Sequence, residues 1–372
     1  MRIELADIIK KFGKEFREQH QPNGWILRTF GALESCRTSA LGGHIQKCDE
    51  CGHEHISYNS CRNRHCPKCQ NSKQAFWVED VSMRLIDSKY FHVVFTIPEV
   101  LNEIFLLDSK RYYSLLFRSV WETLRLFGYS RYGVETGALA ILHTWGQNLM
   151  FHPHIHCLIP ALGLDLDGRV KHITTRGKYL YPVEKMKIDF RSVMMKNIKY
   201  ELKSKHLLPR YQQTIDIAWN KHWVIHIEAP FGDSNHVIKY LGNYTHRVAI
   251  SNGRIHSIVD KEVSFFYKDN KDGGKSKLMT ITGIEFLRRF SMHILPKGFV
   301  KIRYFGILSN RYRKKLDMYR IPNNKPKNET PQERLERLTG IDILLCPRCK
   351  KGHLHNIKEI PKIRSPMRIM MR

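Results

Sequence analysis

Two short cysteine knuckles constrain this chain more than any other feature: Cys48-x-x-Cys51 and, after fourteen intervening residues, Cys66-x-x-Cys69. Each knuckle can present two thiolates to one ion, and paired knuckles at this spacing match a tetrahedral structural zinc site. A chain that must gather four sulfurs into a few ångströms cannot run those residues as a long helix or an uninterrupted strand. The segment is therefore expected to be a small turn-rich module. Cys61 and His65 lie inside it, and His44, His53 and His55 lie beside it, so a permuted ligand set or a second ion fits the same stretch. Cys346-x-x-Cys349 with His353 and His355 offers a further candidate zinc knuckle near the other end.

Cysteine use and charge narrow the setting. The chain has nine cysteines, five of them between Cys48 and Cys69, which suits metal ligation in a reducing compartment better than a disulfide framework. Lys and Arg number 62 against 35 Asp and Glu, a formal charge of +27, and such an excess predicts attraction to a polyanion, nucleic acid first. No apolar run approaches a membrane span, no lipidation motif is visible, and the initial residues carry helical periodicity without an apolar leader. A cytoplasmic protein associated with the nucleoid through DNA, with no membrane partner, is expected.

A second constellation carries chemistry. Phe151 to Pro160 reads FHPHIHCLIP, and on a β-strand residues two apart share a face, so His154 and His156 project together. Two imidazoles on a rigid strand form half of a divalent-metal site with open positions for a phosphate. Gly137 to Gly146 reads as a preceding strand, and the short connection from Asn148 to Pro153 favours an antiparallel hairpin. Gln147 then falls near the start of the histidine strand, where its amide oxygen is a candidate third ligand. Further on, Asp233 or Ser234 caps an expected helix that carries Tyr240 and Tyr244 on one face, four residues apart. A tyrosine beside a metal-bearing sheet is a candidate phosphodiester nucleophile.

The remaining chain reads as scaffold. Ile3 to Phe16 and Gly24 to Glu34 have helical periodicity, Tyr90 to Pro98 reads as a strand, and Glu99 to Phe127 as one or two helices with a buried stripe. A connecting helical region covers Thr174 to Leu208; Trp223 to Ile227, Ile255 to Tyr267 and Lys277 to Thr282 read as strands. The GKS string at Gly274 to Ser276 lacks the glycine and strand of a P-loop, so no ATPase module is visible. Lys297 to Pro326 interleaves basic residues with Phe299, Tyr304, Phe305, Tyr312 and Tyr319, a pattern suited to tracking a nucleic-acid backbone and stacking unpaired bases. Candidate DNA contacts are Arg62, Arg64, Lys68, Lys239, Arg247, Arg303, Arg311 and Arg313. Pro331 to Leu338 reads as a short helix after a linker.

Three pieces together, the HPHIH strand, the YLGNYTHR stretch and the CxxC module ending NSCRNRHCPKCQ, resemble the rolling-circle transposases of the insertion sequence 91 type, members of the HUH endonuclease superfamily. The resemblance covers about residues 25 to 310. It implies an α+β fold: a central antiparallel sheet flanked by helices and preceded by a small zinc-binding domain. It also implies nicking and joining of single-stranded or hairpin element ends and target DNA. His154 and His156 match the two motif histidines, Gln147 falls where related initiators place a third ligand, and Tyr240 and Tyr244 match the two tyrosines. One tyrosine would form a 5′-phosphotyrosine and the second would join later strand transfer. Structural Zn²⁺ and a catalytic Mg²⁺ or Mn²⁺ are implied, with host replication or helicase factors supplying unwinding.

The expected division is 1–88, helical and zinc-binding; 89–310, nuclease; and 311–372, a basic C-terminal region with the further CxxC knuckle. The competing readings are a plasmid replication initiator or relaxase with the same chemistry, a non-catalytic zinc-dependent DNA-binding regulator, and a histidine-triad nucleotide hydrolase. Zinc knuckles, basic balance and Pro153 inside the triplet argue against the last.

Overall fold

The computed structural model describes residues 3–174, 180–228, 237, 242, 248–269, 272–320 and 328–363. The chain opens with helices α1 (Leu5–His20) and α2 (Gly24–Glu34). Strands β1 (Gly43–Cys48) and β2 (Glu54–Tyr58) follow, then helix α3 (Pro67–Ser82) and strand β3 (Tyr90–Thr96). Helices α4 (Asn102–Leu107) and α5 (Ser109–Phe127) lead to the hairpin β4 (Gly137–Trp145) and β5 (Phe151–Pro160). Two short strands, β6 (Leu162–Leu164) and β7 (Val170–His172), precede helices α6 (Val183–Ser204) and α7 (Leu208–Asn220) and strand β8 (Val224–Ile227). A meander follows, β9 (Ile255–Val259), β10 (Glu262–Asp269) and β11 (Lys275–Thr282), then helix α8 (Gly283–Ser291) and strand β12 (Ile302–Gly306). Helix α9 (Pro331–Thr339) and strand β13 (Leu354–Ile360) come last.

The organising layer is a five-stranded antiparallel sheet in the order β12-β4-β5-β3-β8. Its two faces differ because alternate residues point opposite ways. Phe91, Val93, Phe95, Ala140, Leu142, Ile155, Cys157 and Ile159 share one face and join the largest core cluster with residues of α5, α6 and α7. The other face carries Tyr90, Leu139, Ile141 and Leu158 beneath Val81 and Leu85 at the end of α3, and the described Val237 packs there too. His92, His143, His154 and His156 share that second face, beside Val94 and Thr96. One face is thus devoted to stability, and the other is divided between an apolar half and a polar half.

A second core joins distant parts of the chain. Ile8, Phe12 and Phe16 of α1 and Phe30 and Leu33 of α2 pack with Val263 and Phe265 of β10 and Phe286, Leu287 and Phe290 of α8. The close crossing of α1 and α8 requires a glycine: a Cβ on Gly283 would sit 2.2 Å from the Phe12 ring. The expected boundary at residue 88 therefore follows the chain but not the packing, since residues 255–291 share a core with α1 and α2. The C-terminal region behaves in the same way. Strand β13 pairs with β1, giving a three-stranded sheet β13-β1-β2, and Arg334 of α9 pairs with Glu79 at 2.7 Å and Asp80 at 2.6 Å on α3. What was expected as one strand from Ile255 to Tyr267 is a hairpin, broken at Asp260, which takes a positive φ of 46°. Among the described residues, no helix is long and apolar enough to cross a membrane.

Candidate metal and DNA-processing site

The hairpin register builds the histidine site. In the antiparallel pairing His143 of β4 stands opposite His154 of β5, and Ile141 opposite His156, so His143, His154 and His156 all point to the same face. One ring nitrogen from each of the three lies within 4.8 Å of the others. Gln147, expected as the third ligand, lines the same cleft from the turn, where its backbone carbonyl accepts a hydrogen bond from Arg254 and the Gly146 N–H donates to the Met150 carbonyl at 2.9 Å. His143, not among the expected ligands, joins His154 and His156 in the cluster.

Hydrogen bonds behind the ligands fix which nitrogens face the cleft. His154 Nδ1 donates to the His152 carbonyl at 2.7 Å, leaving the Nε2 lone pair for a metal. Desolvation lowers His154 to about 4, so the imidazole is neutral near pH 7, as a ligand must be. His156 Nδ1 lies 3.0 Å from His92 Nε2, with the two rings stacked 5° from parallel, and His92 Nδ1 lies 2.9 Å from Glu228 Oε2. With the Glu228 carboxylate accepting from His92, and His92 in turn accepting from His156 Nδ1–H, the His156 lone pair is placed on Nε2. The hydrogen bond from His92 also holds Glu228 below the ordinary carboxylate value. His92 and Glu228 reach this face from β3 and the end of β8. The cleft is walled by Gln70 and Gln74 of α3, by Trp145, and by Arg254, Phe266 and Lys268 from the meander. Three imidazoles on one face beside an open cleft fit a divalent cation that keeps positions for phosphate oxygens.

The cysteines form two groups that differ from the expected one. Cys36, Cys61, Cys66 and Cys69 cluster together, and Cys48 and Cys51 cluster with Cys346 and Cys349. Cys48 and Cys51 sit on the β1–β2 turn and Cys66 and Cys69 at the start of α3, so the two knuckles end on opposite sides of the module. In the first group Cys36 lies 3.5 Å from Cys69 and 3.6 Å from Cys66, and Cys61 lies 3.7 Å from Cys69. Tetrahedral Zn–S bonds of about 2.3 Å place sulfurs about 3.8 Å apart, whereas a disulfide needs about 2.05 Å, so the spacing fits zinc. Hydrogen bonds led by Cys61 lower the Cys36 thiol to about 7, favouring the thiolate. Cys157 is buried in the central sheet, and burial raises its thiol.

The histidines offered as zinc ligands have other partners. His65 Nε2 accepts the Leu295 N–H at 3.3 Å, and burial pushes that imidazole down to about 3. His353 pairs with Asp342 at 2.9 Å and His355 with Asp49 at 3.2 Å, both on the exposed surface.

Several expected DNA contacts have partners within the protein. Arg64 donates to the Phe299 carbonyl at 2.6 Å, and Lys68 bridges Glu4 at 2.7 Å and the Cys36 carbonyl at 2.9 Å. Arg303 lies over the Phe117 ring at 4.3 Å and donates to Ser114 Oγ at 3.1 Å. The aromatics of 297–326 mostly turn inward: Phe299 is buried against Tyr113, and Phe305 stacks on Trp121 at 5.3 Å. Arg62, Arg311 and Arg313 remain exposed. Tyr240, Tyr244, Lys239 and Arg247 lie outside the described residues. On either side of them, Val237 is buried under α3, Gly242 accepts a hydrogen bond from Gln74, and Val248 and Ala249 line the cleft.

Cysteine clusters at zinc spacing beside a histidine-bearing antiparallel sheet define an α+β protein built to bind metal. Residues 8–97 match a family model described as a transposase zinc-binding domain of the insertion sequence 91 type, and residues 137–315 match one described as "Putative transposase". The chain is 39% identical to "Putative transposase y4qJ" of Sinorhizobium fredii, over 98% of this chain and 97% of that one. It is 29% identical to "Transposase for insertion sequence element IS801" of Pseudomonas savastanoi pv. phaseolicola, over 77% of this chain and 70% of that one. No solved structure matches it. The chain belongs to the insertion sequence 91 type transposase family, a family of zinc-binding proteins whose partner is DNA.

Proposed function

We propose that this transposase nicks and joins single-stranded DNA at element ends through a tyrosine nucleophile of the HUH type, as in rolling-circle transposition. The observation that carries the reading is the cluster of His143, His154 and His156 on one face of the central sheet, at the floor of a cleft. A divalent cation, Mg²⁺ or Mn²⁺, held there supplies positive charge to the oxygens of the scissile phosphate. Tyr240 or Tyr244 attacks phosphorus in line; the new bond joins the phenol oxygen to the 5′-phosphate, and the bond to the 3′-oxygen breaks, leaving a 3′-hydroxyl. Exchange of one phosphodiester for another conserves bond energy, so joining by reversal needs no nucleotide hydrolysis. Arg254 and Lys268 give the cleft wall a basic character, and Trp145 and Phe266 offer π-faces for unpaired bases. Host replication or helicase factors would supply the unpaired strand.

The test incubates purified protein with labelled single-stranded DNA containing the element end and Mn²⁺, followed by a denaturing gel and mass mapping. A covalent adduct on Tyr240 or Tyr244 that is absent in Tyr240→Phe/Tyr244→Phe and in His143→Ala is expected. Wild-type nicking by the double tyrosine variant would refute the mechanism.

A further inference from the structure

The cluster of Cys48, Cys51, Cys346 and Cys349 lies apart from the histidine cleft, and two of its residues fall outside the matched zinc-binding domain. We propose that it is a second Zn²⁺ site, a clasp that closes the chain by fastening a C-terminal knuckle onto the N-terminal sheet. The four sulfurs lie within 4.8 Å of one another, with Cys48 3.7 Å from Cys349 and Cys51 3.7 Å from Cys346. That is the separation a tetrahedral tetrathiolate zinc imposes and far beyond a disulfide.

The two knuckles are built alike. The Cys51 N–H donates to Cys48 Sγ at 3.5 Å, and the Gly352 N–H donates to Cys349 Sγ at 3.5 Å, each polarising a sulfur towards thiolate. They also face each other closely. Asp49 accepts the His353 N–H at 2.8 Å, and a Cβ at Gly352 would meet Asp49 at 2.3 Å. Behind them β13 pairs with β1, so that Cys48 stands opposite Leu354.

What demands a metal is the poverty of the packing. The buried residues of this cluster are Cys48, Cys346 and Leu354, with Cys349 half-buried against them. So few apolar side chains cannot hold two hairpins together, and small modules of this kind fold on a metal. Four soft thiolates in a tetrahedral set select zinc among the common divalent ions. The consequence reaches α3, because the clasped segment carries α9, whose Arg334 and Arg337 both pair with Glu79. Helix α3, a wall of the cleft, is thereby held by one zinc at its start and through α9 by the other.

The test is metal counting on the full chain purified without chelator. Cys346→Ser/Cys349→Ser is expected to carry one zinc ion fewer per chain than the wild type, with the histidine site emptied by His143→Ala in both. A variant that keeps the count of its parent overturns the proposal. Should the variant lose both ions by misfolding, Co²⁺ titration of the wild-type protein decides. Thiolate-to-cobalt absorption rising to two equivalents supports the clasp, and saturation at one equivalent removes it.

Discussion

At the residue scale, the sharpest contrast is between His143 and Gln147, two residues four positions apart that the hairpin assigns to different work. His143 remains in the ladder and faces His154, whereas Gln147 sits in the turn and engages Arg254 through its backbone carbonyl. His143→Ala should therefore weaken Mn²⁺ binding by more than the roughly 10–100-fold typical of an outer-sphere change and abolish nicking, while Gln147→Ala leaves Mn²⁺ affinity within a few-fold of wild type. Titration of both variants by calorimetry distinguishes them; the reverse order would return the third ligand to Gln147. Behind the ligands, His92 and Glu228 orient His156 without facing the cleft opening. Glu228→Gln can turn an amide N–H towards His92 and disturb the tautomer chain, so a loss of about 10–100-fold in Mn²⁺ affinity is expected, with little change in the melting temperature. Unchanged affinity would mean that the pair serves packing alone.

At the element scale, local pattern located helices and strands well, because periodicity is a local property. Helix α2 runs over the residues its periodicity marks, and β3 ends just before Pro98. Strand partners and face assignments depend on register, and the register shifts between His143 and Trp145, so a simple count from the Trp145–Phe151 pair would set Pro153, not His154, opposite His143. The basic and aromatic run after Lys297 misled for a related reason. A mixed stripe reads as a surface groove in one dimension, but β12 lies at the edge of the central sheet and turns Phe305 towards α5. The crossing of α1 and α8 offers a test of packing at this scale. Gly283→Ala places a methyl against the Phe12 ring, and overpacking of this sort costs about 1–3 kcal/mol. Denaturant unfolding should show that loss, and Phe12→Leu should recover part of it in the double variant. Additivity of the two losses would show that the rings and backbone relax independently.

At the scale of the whole molecule, buried neutral histidines make stability depend on pH. His65 is depressed from 6.5 to about 3, and His154 and His293 to about 4, each chiefly by burial. Between about pH 6.5 and 4 the unfolded chain binds more protons than the folded one at these positions, so stability falls as pH falls through that window. Denaturant midpoints measured at pH 7.5, 6.5 and 5.5 should fall progressively, with the larger drop between the last two. A midpoint unchanged down to pH 5.5 would contradict the buried neutral state. His293 donates to the Leu149 carbonyl, a contact that favours its protonated form, so the burial of the ring is what keeps it neutral.

The sequence by itself determined the chemistry and the elements: thiolate knuckles, the histidine strand and the basic balance follow from residue type and short-range spacing, and the α+β class from the family resemblance those motifs carry. Tertiary structure decided the groupings. Nine cysteines divide into two sets of four with Cys157 left in the sheet, and the division joins Cys48 to Cys349 across almost the whole chain. Nearest spacing in sequence favoured Cys48 and Cys51 with Cys66 and Cys69, but a knuckle binds whichever partner the folded backbone brings within sulfur reach. The third histidine likewise followed from strand register, and the shared core of α1, α2 and residues 255–291 from apolar faces meeting in space. These are long-range choices, made by packing between segments that carry no mark of each other in the sequence.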